Sequence, residues 1–122
     1  MENPKKIIIV EDEKPMARAL AIKLRSAGFE VDNAYEGEEF FQKLKENKYD
    51  LVLLDIMLPK MSGFDILERM NREGIKIPVA VSSNLSQDED IKKAHDLGAV
   101  DFIVKSNTSL IEFVEKIKVI LQ

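Results

Sequence analysis

Between residues 49 and 59 the sequence reads Tyr-Asp-Leu-Val-Leu-Leu-Asp-Ile-Met-Leu-Pro. Residues 51–54 are all apolar, without the alternation of a half-exposed strand, which is typical of a strand buried on both faces of a parallel sheet. Asp55 ends this run, and Pro59 prevents simple continuation of the strand. The pattern places a carboxylate at the edge where open α/β sheets bind ligands. By itself, Asp55 is explained equally well as a turn or helix-capping residue.

The composition describes one folded domain and argues against several classes of protein. The 122 residues are enough for one hydrophobic core and too few for two. We expect no signal peptide and no membrane span, because apolar runs are short. Cysteine is absent, which excludes disulfides and thiolate sites and is compatible with a cytoplasmic location. The net charge of −4 argues against nucleic-acid binding by this domain.

Apolar strands alternate with amphipathic helices five times along the chain. The predicted strands are residues 7–10, 29–34, 51–54, 77–81 and 100–104. The predicted helices are residues 15–28, 36–47, 64–73, 86–98 and a last one from about 109. The fourth helix is expected to begin at Ser86, which forms a capping-box pattern with Glu89. This alternation indicates a parallel sheet covered on both faces, and hence a single doubly wound α/β domain over residues 1–122.

Polar side chains follow four of the predicted strands, and parallel strands end at one common edge. Three acids, a hydroxyl and an ammonium are expected to meet there: Glu11, Asp12, Asp55, Ser83 and Lys105. Carboxylates without sulfur or nitrogen ligands favour Mg²⁺. A metal and an ammonium around a central aspartate suit phosphoryl transfer, with Asp55 as the nucleophile. Taken singly, each residue has an ordinary explanation, namely a helix N-terminal acid, a turn serine or a solvated lysine.

The ordered set of motifs resembles the receiver domain of two-component response regulators over essentially the whole chain. The matching segments are residues 9–13, 53–59, 63, 83 and 98–105. The resemblance implies a five-stranded sheet in the flavodoxin-like order 2-1-3-4-5 with five helices. It also implies a signalling domain rather than an enzyme, which receives a phosphoryl group on Asp55 from a histidine kinase or phosphotransfer protein with Mg²⁺ bound.

The same resemblance implies a set of metal ligands. Asp12 and Asp55 would bind Mg²⁺ directly, and Glu11 would act largely through water. The main-chain carbonyl of Met57 would complete the protein ligands. Lys105 stands at the position of the lysine that contacts the phosphoryl group.

A switch is implied by two further positions. Ser83 stands at the Thr/Ser switch position and Phe102 at the aromatic one. Phosphorylation adds charge and acceptor oxygens, toward which Ser83 would move while Phe102 rotates into the vacated space. That change would repack the surface of the fourth helix, fifth strand and fifth helix, where partners or a second copy would dock. Phe102 as a plain core aromatic and His95 as a surface residue are the simpler interpretations.

The sequence departs from the family pattern at a few positions. Ser106 follows Lys105 where the family usually has a proline after a cis bond. Asn84 replaces the usual small residue. The apolar Met57 and Leu85 occupy two variable positions and cannot orient an attacking water, which predicts a long-lived phosphorylated state.

Three competing interpretations stay open at this stage. A flavodoxin-like FMN binder shares the architecture, but acids at 11–13 would repel its phosphate. A phosphatase with an aspartyl-phosphate intermediate would want a second acid where Met57 stands. The third is a receiver-like interaction module that is never phosphorylated.

Overall fold

The strands in the described part of the chain are short and all parallel. In the computed structural model, which describes residues 3–84 and 87–122, they form one five-stranded sheet. Their bounds are β1 Lys6–Val10, β2 Glu30–Ala34, β3 Leu51–Leu54, β4 Val79–Ser83 and β5 Asp101–Val104. The strand order is β2-β1-β3-β4-β5, as the family resemblance implies. β3 therefore lies at the centre of the sheet, and Asp55 extends from its carboxyl end.

Five helices connect the strands and follow the last of them. Their bounds are α1 Lys14–Ser26, α2 Gly37–Glu46, α3 Gly63–Arg72, α4 Asp88–Asp96 and α5 Leu110–Ile120. Helix ends fall close to the predictions, and Ser109 caps α5 through a capping box with Glu112. The predicted capping residue Ser86 lies outside the described residues, and Gln87 occupies the N-cap of α4. A short 3₁₀ helix, Lys105–Asn107, follows β5 and has no counterpart in the predictions.

The predicted fourth strand is shifted along the chain. Its bounds were expected at residues 77–81, whereas β4 runs from Val79 to Ser83. Pro78 has no N–H to give to a neighbouring strand, although its carbonyl accepts from Val52 N–H at 2.9 Å. The shift brings Ser82 and Ser83 into the strand itself, with their side chains on opposite faces of the sheet.

Alternate residues of the central strands supply two hydrophobic cores. Ile8 and Leu54 point to one face and pack with Phe40, among others, under α2, α3 and α4. Ile7 and Leu53 point to the other face and pack with residues of α1 and α5. Each fully buried side chain of this size contributes about 1.5–3 kcal/mol of transfer free energy. Burial on both faces holds the strand ends, and the polar residues after them, in fixed positions.

None of the described helices is both long and apolar enough to cross a membrane.

Candidate functional site

Two carboxylates extend from adjacent central strands at the carboxyl edge of the sheet. Val10 pairs with Leu54, so Glu11 and Asp55 follow neighbouring strands at the same level. Backbone hydrogen bonds continue past the strands, from Glu11 N–H to the Ala34 carbonyl and from Asp55 N–H to the Val10 carbonyl, each at 3.0 Å. Glu11 is 3% exposed and Asp55 is 5% exposed. The strand ladder thus orients two buried carboxylates toward one point.

Lys105 supplies the positive charge at this point. Its ammonium donates to Oε1 of Glu11, and to Oδ2 of Asp55 at 3.0 Å. The Lys105 side chain is only 7% exposed. No peptide bond among the described residues is cis, so the Lys105–Ser106 bond is trans, and Lys105 still reaches both acids. The serine that departs from the family pattern therefore does not turn the lysine away.

The acids also form a group with the geometry of a metal site. One ligand oxygen from each of Glu11, Asp12 and Asp55 lies within 4.8 Å of the others. Asp12 is exposed, so solvent reaches the group from its side. With Lys105 charged, three ionised carboxylates leave a net charge of −2, which matches a divalent cation. Oxygen-only ligands with room for water fit Mg²⁺, which keeps several waters when bound.

The backbone after Asp55 is held against its carboxylate. Met57 N–H donates to Oδ1 of Asp55 at 3.2 Å. The Met57 side chain itself is exposed. Its backbone is thus next to the acids, and the predicted role of its carbonyl as a ligand stays a prediction.

Burial and crowding shift the protonation of this group. Burial is the main cause that raises the pKa of Glu11 to about 7, with the charge of Asp55 acting in the same direction and Lys105 opposing it. Burial disfavours the charged form of Lys105, but its bonds to Glu11 and the charge of Asp55 outweigh this and raise its pKa. Lys105 is therefore an ammonium at neutral pH. The three carboxylates together carry more negative charge than the single ammonium of Lys105 can compensate.

The predicted switch residues lie on the other face of the sheet from Lys105. Ser83 is fully buried, and the pairing of Val81 with Phe102 and Ser83 with Val104 puts Ser83 and Phe102 on one face. Phe102 is half-buried, packs against the core, and lines a groove of about 260 Å³ with residues of α4. The structure therefore groups Phe102 with α4 and not with the acids. His95, on α4, has a side chain that is 83% exposed, in agreement with the surface interpretation.

The sequence pattern assigned no role to two residues near the site. Ser82 is 4% exposed and lines a cavity of about 10 Å³ together with Glu11, Asp55 and Lys105. The signal for it was available, because successive strand residues face opposite sides and two serines end β4. Gly63 lies directly under the Asp55 backbone, where a Cβ would come 2.4 Å from the Asp55 carbonyl oxygen. This close approach of two backbones is invisible in a sequence.

Comparison with known proteins identifies the family. Residues 7–118 match the family model described as the response regulator receiver domain. The chain belongs to this family. The receiver is 41% identical over 100 residues to the transcriptional regulatory protein DltR of Streptococcus agalactiae, an alignment that covers 82% of this chain and 45% of DltR. The chain thus spans about half the length of this curated relative.

Solved structures agree with the family at the level of the whole fold. A two-component response regulator from Clostridium difficile superimposes with a TM-score of 0.89 at 30% identity, covering 96% of this receiver and 95% of that chain. The response regulator TrrA of Thermotoga maritima, solved with Mg²⁺ and BeF, gives a TM-score of 0.83 at 30% identity, covering 96% and 99%. The predicted resemblance is confirmed, and receiver domains are signalling domains rather than classical enzymes.

Proposed function

We propose that this receiver domain accepts, in the cytoplasm, a phosphoryl group on Asp55 from a histidine kinase or phosphotransfer protein. The observation that supports this most directly is the setting of Asp55. Asp55 is 5% exposed, one of its oxygens lies within 4.8 Å of an oxygen of Glu11 and of Asp12, and its carboxylate accepts a hydrogen bond from Lys105. A carboxylate oxygen of a buried aspartate can attack phosphorus, and a neighbouring ammonium can neutralise the negative charge on the phosphoryl oxygens.

Magnesium is the proposed cofactor. Its ligands would be Glu11, Asp12, Asp55 and the main-chain carbonyl of Met57. When bound, the ion supplies neutralisation of the charge on the transferring phosphoryl oxygens. The donor set supports this assignment, since three carboxylates gather here, no histidine or cysteine joins them within residues 3–84 and 87–122, and they carry more negative charge than Lys105 balances.

In the proposed transfer, Asp55 is the nucleophile and Lys105 stabilises the phosphoryl group. An oxygen of Asp55 forms a bond to phosphorus as the bond from phosphorus to the donor's histidine nitrogen breaks, and that nitrogen retains the electron pair. Lys105 already contacts Oδ2 of Asp55, so its ammonium is positioned to donate to a phosphoryl oxygen there. Met57 is exposed but apolar, so its side chain cannot orient a water for attack on the new acyl phosphate, which supports a long-lived phosphorylated state. Leu85, the other apolar position on which this prediction rests, lies outside the described residues.

The proposed output is a change on the surface formed by α4, β5 and α5. Ser83 would donate its hydroxyl to a phosphoryl oxygen, and Phe102 would move inward on the same face of the sheet. The strand register supports this coupling, because Ser83 and Phe102 share that face on adjacent strands. A partner protein or a second copy of the chain would then bind the altered surface.

Phosphorylation from a small donor tests the proposal. The full chain is incubated with acetyl phosphate and Mg²⁺, and its intact mass is measured beside that of Asp55→Asn and of Asp88→Asn, an exposed aspartate at the start of α4. We expect the mass of one phosphoryl group to be added to wild type and Asp88→Asn only, and chelation of the metal to prevent it. No addition to wild type would contradict the proposal and favour an interaction module that is not phosphorylated.

Two further measurements test the lifetime and the output. Decay of the labelled protein in Mg²⁺ is expected to take much longer than seconds, and loss within seconds would contradict the predicted stability. Solution mass with and without beryllofluoride reports dimerisation. An increase that the substitution Phe102→Ala weakens supports the α4, β5 and α5 surface, and a dimer that Phe102→Ala leaves unchanged contradicts it.

A further inference from the structure

A second concave site lies at the end of the sheet opposite to the acids. It is a groove of about 480 Å³ between the C-terminal halves of α2 and α3. Phe41 and Tyr49 are buried beneath it, and the half-buried apolar residues Leu44, Ile75 and Ile77 line it. Sites for small organic ligands usually have volumes of about 300–1,000 Å³ and mostly apolar linings. The groove has the size and the lining of such a site.

The cationic rim of the groove limits the charge of its ligand. Lys45 and Lys48 line the groove and are exposed, and neither makes an ion pair or a side-chain hydrogen bond within residues 3–84 and 87–122. Arg69 also lines the groove, but its charge is compensated by Glu73 at 2.7 Å and Glu38 at 3.2 Å. The uncompensated charge at the rim is therefore positive, in a chain whose net charge is −4.

Residues in α2 and just after it bring the apolar and cationic parts together. Phe41, Leu44 and Lys45 are spaced by three and four residues, so they share one side of α2. Lys48 follows the end of the helix at Glu46 and lines the same groove. Complementing the dipole of α2 is an alternative role for a lysine in the last turn. Lys43 and Lys45 both lie in that turn, but the ammonium of Lys43 is engaged by the Asn33 carbonyl and by Glu39 at 3.6 Å. Lys45 and Lys48 are left to face the groove.

A rigid wall completes the groove on the α3 side. The guanidinium of Arg69 stacks on the Phe41 ring, 3.8 Å from its centroid. Arg69 also donates to Glu73 at 2.7 Å and to Glu38 at 3.2 Å, so three contacts restrict its side chain. A preformed wall lowers the ordering cost that a ligand must otherwise overcome.

We propose that this groove binds a small organic anion with an apolar body, such as a carboxylate joined to an aromatic or branched aliphatic group. The apolar body contacts Leu44, Ile75 and Ile77, and the carboxylate lies toward Lys45 and Lys48. The site is separate from Asp55 and does not depend on phosphorylation.

An NMR titration of the full ¹⁵N-labelled chain tests this inference. The probe is 4-phenylbutyrate, with 4-phenylbutyramide as the uncharged analogue of the same shape. We expect amide shifts centred on residues 41–49 and 73–77, with a dissociation constant of roughly 2 mM, a value usual for so small a ligand. The amide analogue is expected to bind about three- to tenfold more weakly, because it loses the attraction of two exposed lysines.

Variants separate the groove from general surface binding. Lys45→Gln/Lys48→Gln is expected to weaken 4-phenylbutyrate about three- to tenfold and to leave 4-phenylbutyramide unchanged. The matched control, Lys116→Gln/Lys118→Gln on the exposed side of α5, is expected to bind both probes like wild type. Asp55→Asn is also expected to bind like wild type, which keeps this test independent of the phosphorylation proposal.

Three results would overturn the inference. The first is the absence of shifts at these residues with about 20 mM probe, roughly ten times the expected constant. The second is equal affinity for acid and amide. The third is equal loss of acid binding in the two double-lysine variants, which would assign the effect to net charge rather than to the rim.

Discussion

Replacing Gly63 by alanine probes how tightly the Asp55 loop is held. Gly63 is the first residue of α3, and its N–H donates to the Ile56 carbonyl at 2.8 Å. A Cβ there would lie 2.4 Å from the Asp55 carbonyl oxygen and 2.7 Å from the Ile56 Cα. Both neighbours are backbone atoms, so no side chain can rotate away. The helix and the loop after β3 would have to separate by several tenths of an ångström or more.

Two opposing effects set the magnitude. Added volume in a packed region costs about 1–3 kcal/mol, whereas Gly→Ala in a helix favours folding by up to about 1 kcal/mol. The clash involves backbone on both sides, so we expect its cost at the upper end and a net loss of about 1–2 kcal/mol. For a chain of this size, that lowers the melting temperature by roughly 3–12 °C. Because the displaced carbonyl belongs to Asp55, Mg²⁺-dependent phosphorylation should slow as well.

Thermal and urea unfolding, with the rate of acetyl phosphate labelling, measure these effects. Gly28→Ala is the control, because a Cβ at Gly28 meets nothing within 4 Å and any loss comes from its φ of 99° alone. It is expected to lose stability but to label at the wild-type rate. If Gly63→Ala were as stable as wild type and labelled equally fast, the close contact would not constrain Asp55, and the reasoning would be wrong.

Three further predictions concern charge and backbone conformation. With a pKa of about 7, above the ordinary 4.5, ionisation of Glu11 opposes folding, so metal-free stability should fall as pH rises from about 4.5 to 7. Mg²⁺ affinity should rise over pH 6–7 and level off above, and calorimetry should show proton release that Glu11→Gln abolishes. Lys105→Met leaves Glu11 and Asp55 buried without a cation and should cost about 3–5 kcal/mol in urea unfolding at pH 8. The cost should be smaller at pH 5, and an equal cost at both would contradict the ion-pair account. Lys60 has a φ of 67°, so Lys60→Gly should stabilise the protein by about 0.5–1 kcal/mol, and a lower melting temperature would refute this.

The edge of the sheet could be predicted from the sequence because each of the two central strands, β1 and β3, is marked twice. An unbroken apolar run indicates an interior strand, and the first charged residue marks where the run ends. Asp55 after 51–54 and Glu11 after 7–10 are both of this kind, and the structure places them on adjacent strands. The bounds of β4 are harder to predict from the sequence, since Pro78 directly precedes the strand and serines continue it beyond the apolar residues. Where polar residues belong to a strand, an apolar pattern ends too early.

Contacts between backbones and the pairing of side chains were beyond such reasoning. The sequence pattern predicts that Lys105 lies near the acids. Its hydrogen bonds to both Glu11 and Asp55 depend on side-chain rotamers and on the path of the 3₁₀ helix after β5, which the pattern does not specify. The groove between α2 and α3 could not be predicted either, because the sequence indicates only a core residue at Phe41 and a solvated one at Arg69, and not that the two stack. Only their stacking, together with the compensation of Arg69 by Glu73, leaves Lys45 in α2 and Lys48 after it as the uncompensated charges.

The two serines at the end of β4 lie on opposite faces of the sheet and connect the site to different helices. Ser83 is on the face of Val81 and Phe102, toward α4, where a docking surface would respond. Ser82 pairs with Ile103 and opens into the small cavity beside Lys105, on the face covered by α1 and α5. A phosphoryl group on Asp55 could therefore act on α4 through one hydroxyl while the other faces the Lys105 side.

Ser83→Ala should uncouple Phe102 from phosphorylation and leave the acid cluster intact, whereas Ser82→Ala should alter the surroundings of Lys105 without changing α4. Chemical shifts of the α4 amides, recorded with and without beryllofluoride for both variants, distinguish the two roles, and the same α4 response in both would mean that the faces are not separate.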